Sequence, residues 1–332
     1  MEGCRLVNFE LNYSNKCLIA TPVFHLKDVK RYIKENNKYF IVEENATKED
    51  IFLHFQKDKN IKYIFVNPNA QGYFLDKEIL SKINLKGINT CSTGTNHIDL
   101  DFCNENNIAI NSLKEDYKLI NNLPSTSELA FTLLLGLFRK LVLCNNQVID
   151  RGIWDYRNVM GNQFAGKNIG CLGFGRLGKI FCKQLEGFDV GIYVCEDKDL
   201  EIPCKYNKVN IEELFAKCDA VAIHIHSSPQ NINLINTNLL TKTKKGFILV
   251  NTSRGDICDE YAISKLLKED HLGGYGTDVL RTEFNNIEDS PVYQIALEKK
   301  YNVIISPHVG GMTFEGQNKA FLFALNKFKI SY

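Results

Sequence analysis

The sequence predicts an α/β protein of two domains, each built on a parallel sheet covered by helices. Three observations carry that expectation. Apolar strand-like runs alternate with helical patterns along nearly the whole chain, the order that yields parallel sheets. One glycine-rich turn, Gly173-Phe174-Gly175-Arg176-Leu177-Gly178, interrupts that alternation. The length of 332 residues suits two domains of ordinary size.

From Lys16 to Asn111 the runs starting at Cys17, Tyr39, Lys62, Gly87 and Ile108 read as strands. The segments 26–34, 48–55, 76–83 and 98–106 between them read as helices. They make a first, smaller domain without a glycine fingerprint. The loop 112–123 is polar and irregular. Pro124-Ser125-Thr126-Ser127-Glu128 then opens a long helix, with hydroxyls available for the N-cap and an acid in the first turn. Its body, running to Cys144, is apolar on nearly all sides. Such a helix needs cover all round, from two domains or from a second subunit. The segment near 125–149 is therefore the expected crossover between domains and the expected homodimer surface.

The glycine turn sits inside a strand–turn–helix–strand unit. Asn168 to Leu172 is apolar, Ile180, Phe181 and Leu185 share a helix face, and Val190 to Cys195 is a second strand ending in Glu196-Asp197. Gly173 permits the tight turn, Gly175 lets the backbone approach a pyrophosphate, and Gly178 lets helix and strand pack closely. The helix N-terminus supplies N–H groups and a positive dipole end for phosphates. Glu196 follows Gly178 at about the spacing needed to hold adenosine ribose hydroxyls. The unit is a Rossmann dinucleotide site. Strand patterns starting at Ala220, Phe247, Gly273 and Val303 follow, so six parallel strands are expected in this second domain. The segment 313–329 reads as a closing amphipathic helix.

Composition narrows the function. The formal charge is +1, with no basic stripe or acidic tail, so neither nucleic acid nor an anionic membrane is expected as a partner. The opening residues lack the apolar stretch of a signal peptide. The run from Leu129 to Phe138 is too short to span a bilayer. Eleven cysteines with no C-x-x-C pair argue against a disulfide framework or a zinc site and for a cytoplasmic protein.

Three polar stretches follow predicted strands, where loops of open α/β sheets carry chemistry. They are Asn251-Thr252-Ser253-Arg254-Gly255-Asp256, the run Gly274 to Glu283, and Ser306-Pro307-His308-Val309-Gly310-Gly311. Together with the glycine turn, Asp219-Ala220-Val221-Ala222-Ile223-His224, Gly152-x-Trp154 and the earlier run Ser92-Thr93-Gly94-Thr95-Asn96-His97-Ile98-Asp99-Leu100, they resemble the D-isomer-specific 2-hydroxyacid dehydrogenases over essentially the whole chain. Within that family the pattern looks most like the phosphoglycerate dehydrogenase and hydroxypyruvate reductase branch.

The resemblance implies NAD as cofactor, a small 2-hydroxy or 2-oxo acid as substrate, and a catalytic set of Arg254, Glu283 and His308. Arg254 offers a planar charged fork suited to a carboxylate and a carbonyl oxygen. His308 is the implied proton donor in reduction and base in oxidation, paired with Glu283. Ser92, Thr93 and Gly94 would present N–H groups to the substrate carboxylate, and Asp278 would bind the nicotinamide carboxamide. Further implied cofactor contacts are Arg176, Leu177, His226, Thr252, Ser253 and Gly310. The family usually has Pro where His226 and Phe284 stand here, and often Thr at Ala130. Glu196 and Asp197 would repel a 2′-phosphate, favouring NAD over NADP, with Lys198 a mild counter-signal.

The resemblance also implies a flavodoxin-like substrate domain of residues 1–112 and 308–332, with the dinucleotide domain, 113–307, inserted between them and the cofactor cleft between the two. No metal site is expected. Asn67-Pro68-Asn69 occupies the place where the phosphoglycerate branch has a cation for the substrate phosphate. Hydroxypyruvate or glyoxylate is therefore the expected kind of substrate. D-3-phosphoglycerate is the alternative, and an NAD-sensing co-repressor the alternative of another class. His97 reads as structural, while His25, His54 and His271 show no partner in the sequence.

Overall fold

The structure is a computed structural model that describes residues 9–67, 74–95, 97–283 and 285–331. The chain separates into two compact units, one running to Leu123 and resuming at Met312, the other Pro124–Gly311.

In chain order the first unit contains β1 (Phe9–Leu11), β2 (Lys16–Ile19), α1 (Lys27–Glu35), β3 (Phe40–Val42), α2 (Lys48–Lys57), β4 (Ile61–Val66), α3 (Lys77–Leu80), β5 (Gly87–Thr90), α4 (Leu100–Glu105), β6 (Ala109–Asn111) and α5 (Tyr117–Ile120). β2 to β6 form a parallel sheet in the order β3-β2-β4-β5-β6, the flavodoxin-like order. Alternate side chains divide between two cores. Cys17, Ile19, Tyr63 and Phe65 face one side, and Leu18, Ala20, Ile64 and Val66 the other. Burial on both faces is why these strands read as largely apolar runs. α2 starts on a capping box in which Thr47 and Asp50 satisfy each other's backbone N–H.

The second unit contains α6 (Ser125–Phe138), α7 (Leu141–Arg151), β7 (Asn168–Leu172), α8 (Arg176–Leu185), β8 (Gly191–Cys195), β9 (Asn207–Lys208), α9 (Ile211–Lys217), β10 (Ala220–Ile223), α10 (Thr237–Leu240), β11 (Phe247–Asn251), α11 (Glu260–Lys268), β12 (Leu272–Thr277), α12 (Pro291–Leu297) and β13 (Val303–Ile305). Its parallel sheet runs β13-β12-β11-β10-β7-β8-β9. Read from β9 this is the Rossmann order, with the reversal between β7 and β10. Seven strands stand where six were expected. The extra one, β9, is two exposed polar residues, Asn207 and Lys208, which no apolar pattern reveals.

The expected single helix from 125 into the 140s is two. Lys140 takes a left-handed φ of 50°, and Asn162 N–H takes the Phe138 carbonyl at 2.8 Å. α6 is also covered by its own unit. Ala130, Leu133, Leu134, Leu137 and Phe138 share a core with Ile169, Phe181, Leu185, Ile248 and Val250. No second subunit is needed to bury it.

The chain then returns to the first unit as α13 (Phe314–Leu325) and β14 (Phe328–Ile330). The closing helix is shorter than expected, because β14 pairs in parallel with β1, Phe9 opposite Phe328. Phe328 packs against Phe9, Phe40 and Tyr63. The unit boundaries lie at 123/124 and 311/312, where 112/113 and 307/308 were expected. Leu113 and Ile120 are buried in the first unit's core, which draws 113–123 into it. Residues 308–310 are bonded to Asp278, which holds them in the second.

Candidate active site

The glycine turn connects β7 to α8. Gly173 has a φ of +95°, and a Cβ there would meet the His224 carbonyl at 2.8 Å. A Cβ on Gly178 would lie 2.0 Å from the Gly173 carbonyl oxygen, so only glycine lets the helix sit this close. A Cβ on Gly175 meets nothing within 4 Å, which leaves open space above the turn. Gly175 is also the N-cap of α8, with no side chain satisfying the first N–H groups. Ser127 Oγ donates to the Leu177 carbonyl at 2.9 Å, tying α6 to the same turn. Glu196, at the end of β8, accepts the Phe174 N–H at 2.7 Å and the Lys198 N–H at 3.0 Å. Burial depresses the Arg176 guanidinium from its ordinary range. The open turn, the uncapped helix N-terminus and an acid beside them fit a dinucleotide diphosphate and ribose.

The catalytic candidates lie on three interlocked loops. After β11, Asn251 braces the turn by accepting the Ser253 N–H and donating to the Arg254 carbonyl, both at 2.9 Å. Ser253 Oγ donates to the Ile223 carbonyl. Thr252 is buried, its hydroxyl without a partner among the described residues. Gly255 presses so close to Leu280 and Arg281 that a Cβ would fall 2.2 Å from backbone. After β12, Asp278 is 1% exposed. Its carboxylate accepts from Ser306 Oγ at 2.5 Å, Val309 N–H at 2.9 Å and Gly310 N–H at 2.7 Å. Its carbonyl accepts the His308 N–H at 2.9 Å. Burial pushes the Asp278 carboxyl above its usual range, with these donors opposing the shift. After β13, His308 is thereby held at a left-handed φ of 54°. Its Nδ1 lies 3.1 Å from Glu283 Oε1. Sequence reasoning gave Asp278 to the cofactor. Ser306 and Asn251 lie in the polar stretches that the sequence marks but carry no role there, since they look like ordinary strand-end polar residues; in the structure they anchor the His308 and Arg254 loops.

In the first unit the loop after β5 is shaped internally. Ser92 Oγ donates to the Gly94 carbonyl at 2.6 Å and lies 3.0 Å from Thr90 Oγ1, while Thr93 is exposed.

Residues 131–310 match the family described as D-isomer specific 2-hydroxyacid dehydrogenase, NAD binding domain. The chain belongs to that family. Its cofactor is NAD. A 2-hydroxyacid dehydrogenase homolog of Zymomonas mobilis is 30% identical over 297 residues, 85% of this chain and 87% of that one. The D-3-phosphoglycerate dehydrogenase of Mycobacterium bovis is 28% identical over 252 residues, 74% of this chain but 45% of that protein. This chain thus matches less than half the length of that relative. A solved NAD-dependent formate dehydrogenase from Staphylococcus aureus, in complex with NAD, is 26% identical, covers 92% of each chain and superposes with a TM-score of 0.75.

Among positions where this family member departs from the usual pattern, Ala130 is fully buried in the core. His226 lies on an exposed loop, its carbonyl accepting from Asn231. Phe284, Asn96 and Pro68-Asn69 lie outside the described residues. His97 is buried, and the lack of compensation for that burial holds its imidazole down to about 4. Both ring nitrogens of His224 are buried beside Phe181, which depresses it to about 3. The histidines without a visible partner in the sequence have one in space. His54 lies 3.5 Å from Glu43 and His271 3.1 Å from Thr243, while His25 lies 2.9 Å from Gln317.

Proposed function

We propose that the protein is an NAD-dependent D-2-hydroxyacid dehydrogenase that interconverts a small 2-oxo acid of the hydroxypyruvate or glyoxylate type and its D-2-hydroxy acid. The observation that carries this reading is the His308–Glu283 pair, locked by Asp278 on loops interleaved with that of Arg254. NAD, when bound, supplies or accepts the hydride. Arg254 takes the substrate carboxylate and polarises the carbonyl. Backbone N–H groups of Ser92, Thr93 and Gly94 serve as further carboxylate donors. Since Nδ1 of His308 is engaged by Glu283, proton transfer is assigned to Nε2, which gives its proton to the carbonyl oxygen in reduction and removes it in oxidation. Arg254, Glu283 and His308 are the catalytic residues. Glu196 accepts from the adenosine ribose, which favours NADH over NADPH.

A phosphorylated substrate is the second reading, favoured by the phosphoglycerate dehydrogenase relative. Catalytic efficiency on hydroxypyruvate, glyoxylate and phosphohydroxypyruvate with each reduced coenzyme tests both readings. Strong preference for the phosphorylated acid overturns the first. Binding of NADH with no turnover on any acid makes the protein a sensor.

We also propose a homodimer, with its contact moved from α6 to the segment after it. Leu141, Ile149, Trp154, Tyr156 and Met160 are exposed there, Trp154 at 91%, an apolar strip of the kind that marks an interface. Light scattering on Trp154→Arg tests it: the expected result is dissociation of a wild-type dimer. No helix among the described residues is long and apolar enough to cross a membrane. The described cysteines are all free thiols, which supports a reducing, cytoplasmic setting.

A further inference from the structure

The second unit buries a carboxylate that the reaction described above does not use. Glu260 opens α11, a place where an acid ordinarily faces solvent and favours the helix N-terminus. Here it is 4% exposed. A buried carboxylate is costly unless donors satisfy it, and its donors come from two other elements. Glu260 Oε1 accepts the Arg281 N–H at 2.8 Å, and Oε2 accepts from Ser290 Oγ at 2.5 Å. Ser290 is the N-cap of α12, where its Oγ accepts the Tyr293 N–H. Glu260 thus ties the starts of two helices to the turn that follows β12.

That turn carries the partner of His308. The Glu283 N–H meets the Leu280 carbonyl and Glu283 Oε2 accepts the Leu280 N–H, both at 3.3 Å. The other oxygen, Oε1, lies 3.1 Å from His308 Nδ1. Arg281 sits inside the turn, and its side chain holds the turn a second time. The guanidinium donates to Asn233 Oδ1 and to the carbonyls of Asp256 and Cys258. One hold comes from the interior and the other from the surface. The close approach of Gly255 to Leu280 and Arg281 leaves the turn little room to shift between them.

We propose that Glu260 and the Arg281 guanidinium are positioning residues for the reaction. They fix the 280–283 turn so that Glu283 meets His308 with one oxygen while the other stays on Leu280. The inference rests on the dehydrogenase reading above. An imidazole is oriented only as well as its carboxylate partner is held, and a misplacement of about 1 Å can cost about 10²-fold in rate. What Glu260 contributes is an oxygen at the Arg281 N–H rather than a charge. Glutamine keeps that oxygen and alanine removes it.

Glu260→Ala, Glu260→Gln and Arg281→Met are each made alone and together with Glu283→Gln. kcat is measured on whichever of hydroxypyruvate, glyoxylate and phosphohydroxypyruvate the natural protein turns over best, with NADH affinity read alongside. Glu260→Ala should lower kcat by roughly 10–10²-fold with NADH affinity unchanged, and Glu260→Gln should restore most of it. In the Glu283→Gln background, already slow, neither Glu260→Ala nor Arg281→Met should lower kcat further, since residues that act through one another are not additive. A strut that only holds the unit together lowers kcat equally in both backgrounds, and that result overturns the proposal. Full activity in Glu260→Ala, or a Glu260→Gln variant as slow as the alanine one, overturns it too. If Glu260→Ala does not fold, Arg281→Met decides by the same comparison, because its side chain is exposed. A natural protein that turns over none of these acids, or a Glu283→Gln variant as fast as the natural protein, removes the catalytic reading itself, and this inference with it.

Discussion

The two units follow one architectural rule and differ in how their sites are assembled. Both are doubly wound parallel sheets with loops of interest at the carboxyl ends of their strands. In the nucleotide-binding unit the site is local. The turn from Gly173 to Gly178 and the loops after β11, β12 and β13 each place several candidate site residues close together in sequence, and Asp278 then joins two of those loops. In the other unit the polar groups converge from far apart, as His25 and Gln317 do. Its outer pair of strands joins the two ends of the described chain. Short-range sites are fixed by backbone constraints that few residue types satisfy. Long-range ones are fixed by packing, which many residue types satisfy. The first kind therefore leaves a motif behind and the second does not.

Five substitutions break or sharpen that contrast, in descending order of effect. His308→Ala should lower turnover by roughly 10²–10⁴-fold while NADH affinity, read by fluorescence titration, stays unchanged. An equally deep loss from a single substitution in the first unit would show that the chemistry is not concentrated in the second. His97 tests the first unit's core through pH. Its imidazole is buried and held to about 4, below the ordinary value of 6.5, so between those values the unfolded chain binds the proton more tightly. The stability this group contributes is whole above about pH 6.5 and is lost as pH falls toward 4, at up to ~1.4 kcal/mol per unit and about 3 kcal/mol in all. Urea unfolding of the natural protein and His97→Gln across that range should show the gap between them closing as the solution is acidified. Parallel curves would mean that the imidazole is not held neutral. Gly178→Ala forces a Cβ against the Gly173 carbonyl and should cost about 1–3 kcal/mol of stability, together with NADH affinity. Gly175→Ala meets no protein atom within 4 Å and should weaken NADH binding while leaving the melting temperature of the unliganded protein in place. Similar melting curves for the two alanine variants would show that the turn is looser than its spacing implies. The smallest effect is Thr47→Ala, which removes half of the capping box that opens α2. It should cost about 1 kcal/mol with turnover unaltered.

Much of this molecule could be read before its structure was known, for reasons visible residue by residue. Strands such as β4 and β11 are buried on both faces and so are apolar apart from Lys62 near the start of one and Asn251 at the end of the other. The glycine turn was legible because backbone sterics leave no other residue at Gly178. β9 was invisible, since Asn207 and Lys208 are exposed and polar. β1 and β14 went unseen because three-residue strands that pair only with each other carry no alternation long enough to register. The break at Lys140 has no glycine or proline to announce it, and the cause lies some twenty positions downstream at Gly161 and Asn162. The family motif marked Asp278 as important. Its work as the anchor of the His308 loop depends on Ser306, Val309 and Gly310 arriving from a different strand, and spacing along the chain does not encode that.

The pairing of β1 with β14 also bears on how the protein is made. The nucleotide-binding unit is complete once Gly311 has been synthesised, whereas the first unit lacks α13 and β14 until Ile330 has left the ribosome. An early product therefore holds a finished Rossmann sheet beside a flavodoxin-like sheet whose core lacks Phe321, Leu325 and Phe328. The contacts that fill that gap span nearly the whole described chain and form last. In that interval the cell holds a chain with an exposed aromatic surface, and chaperones would meet that surface rather than the cofactor-binding half.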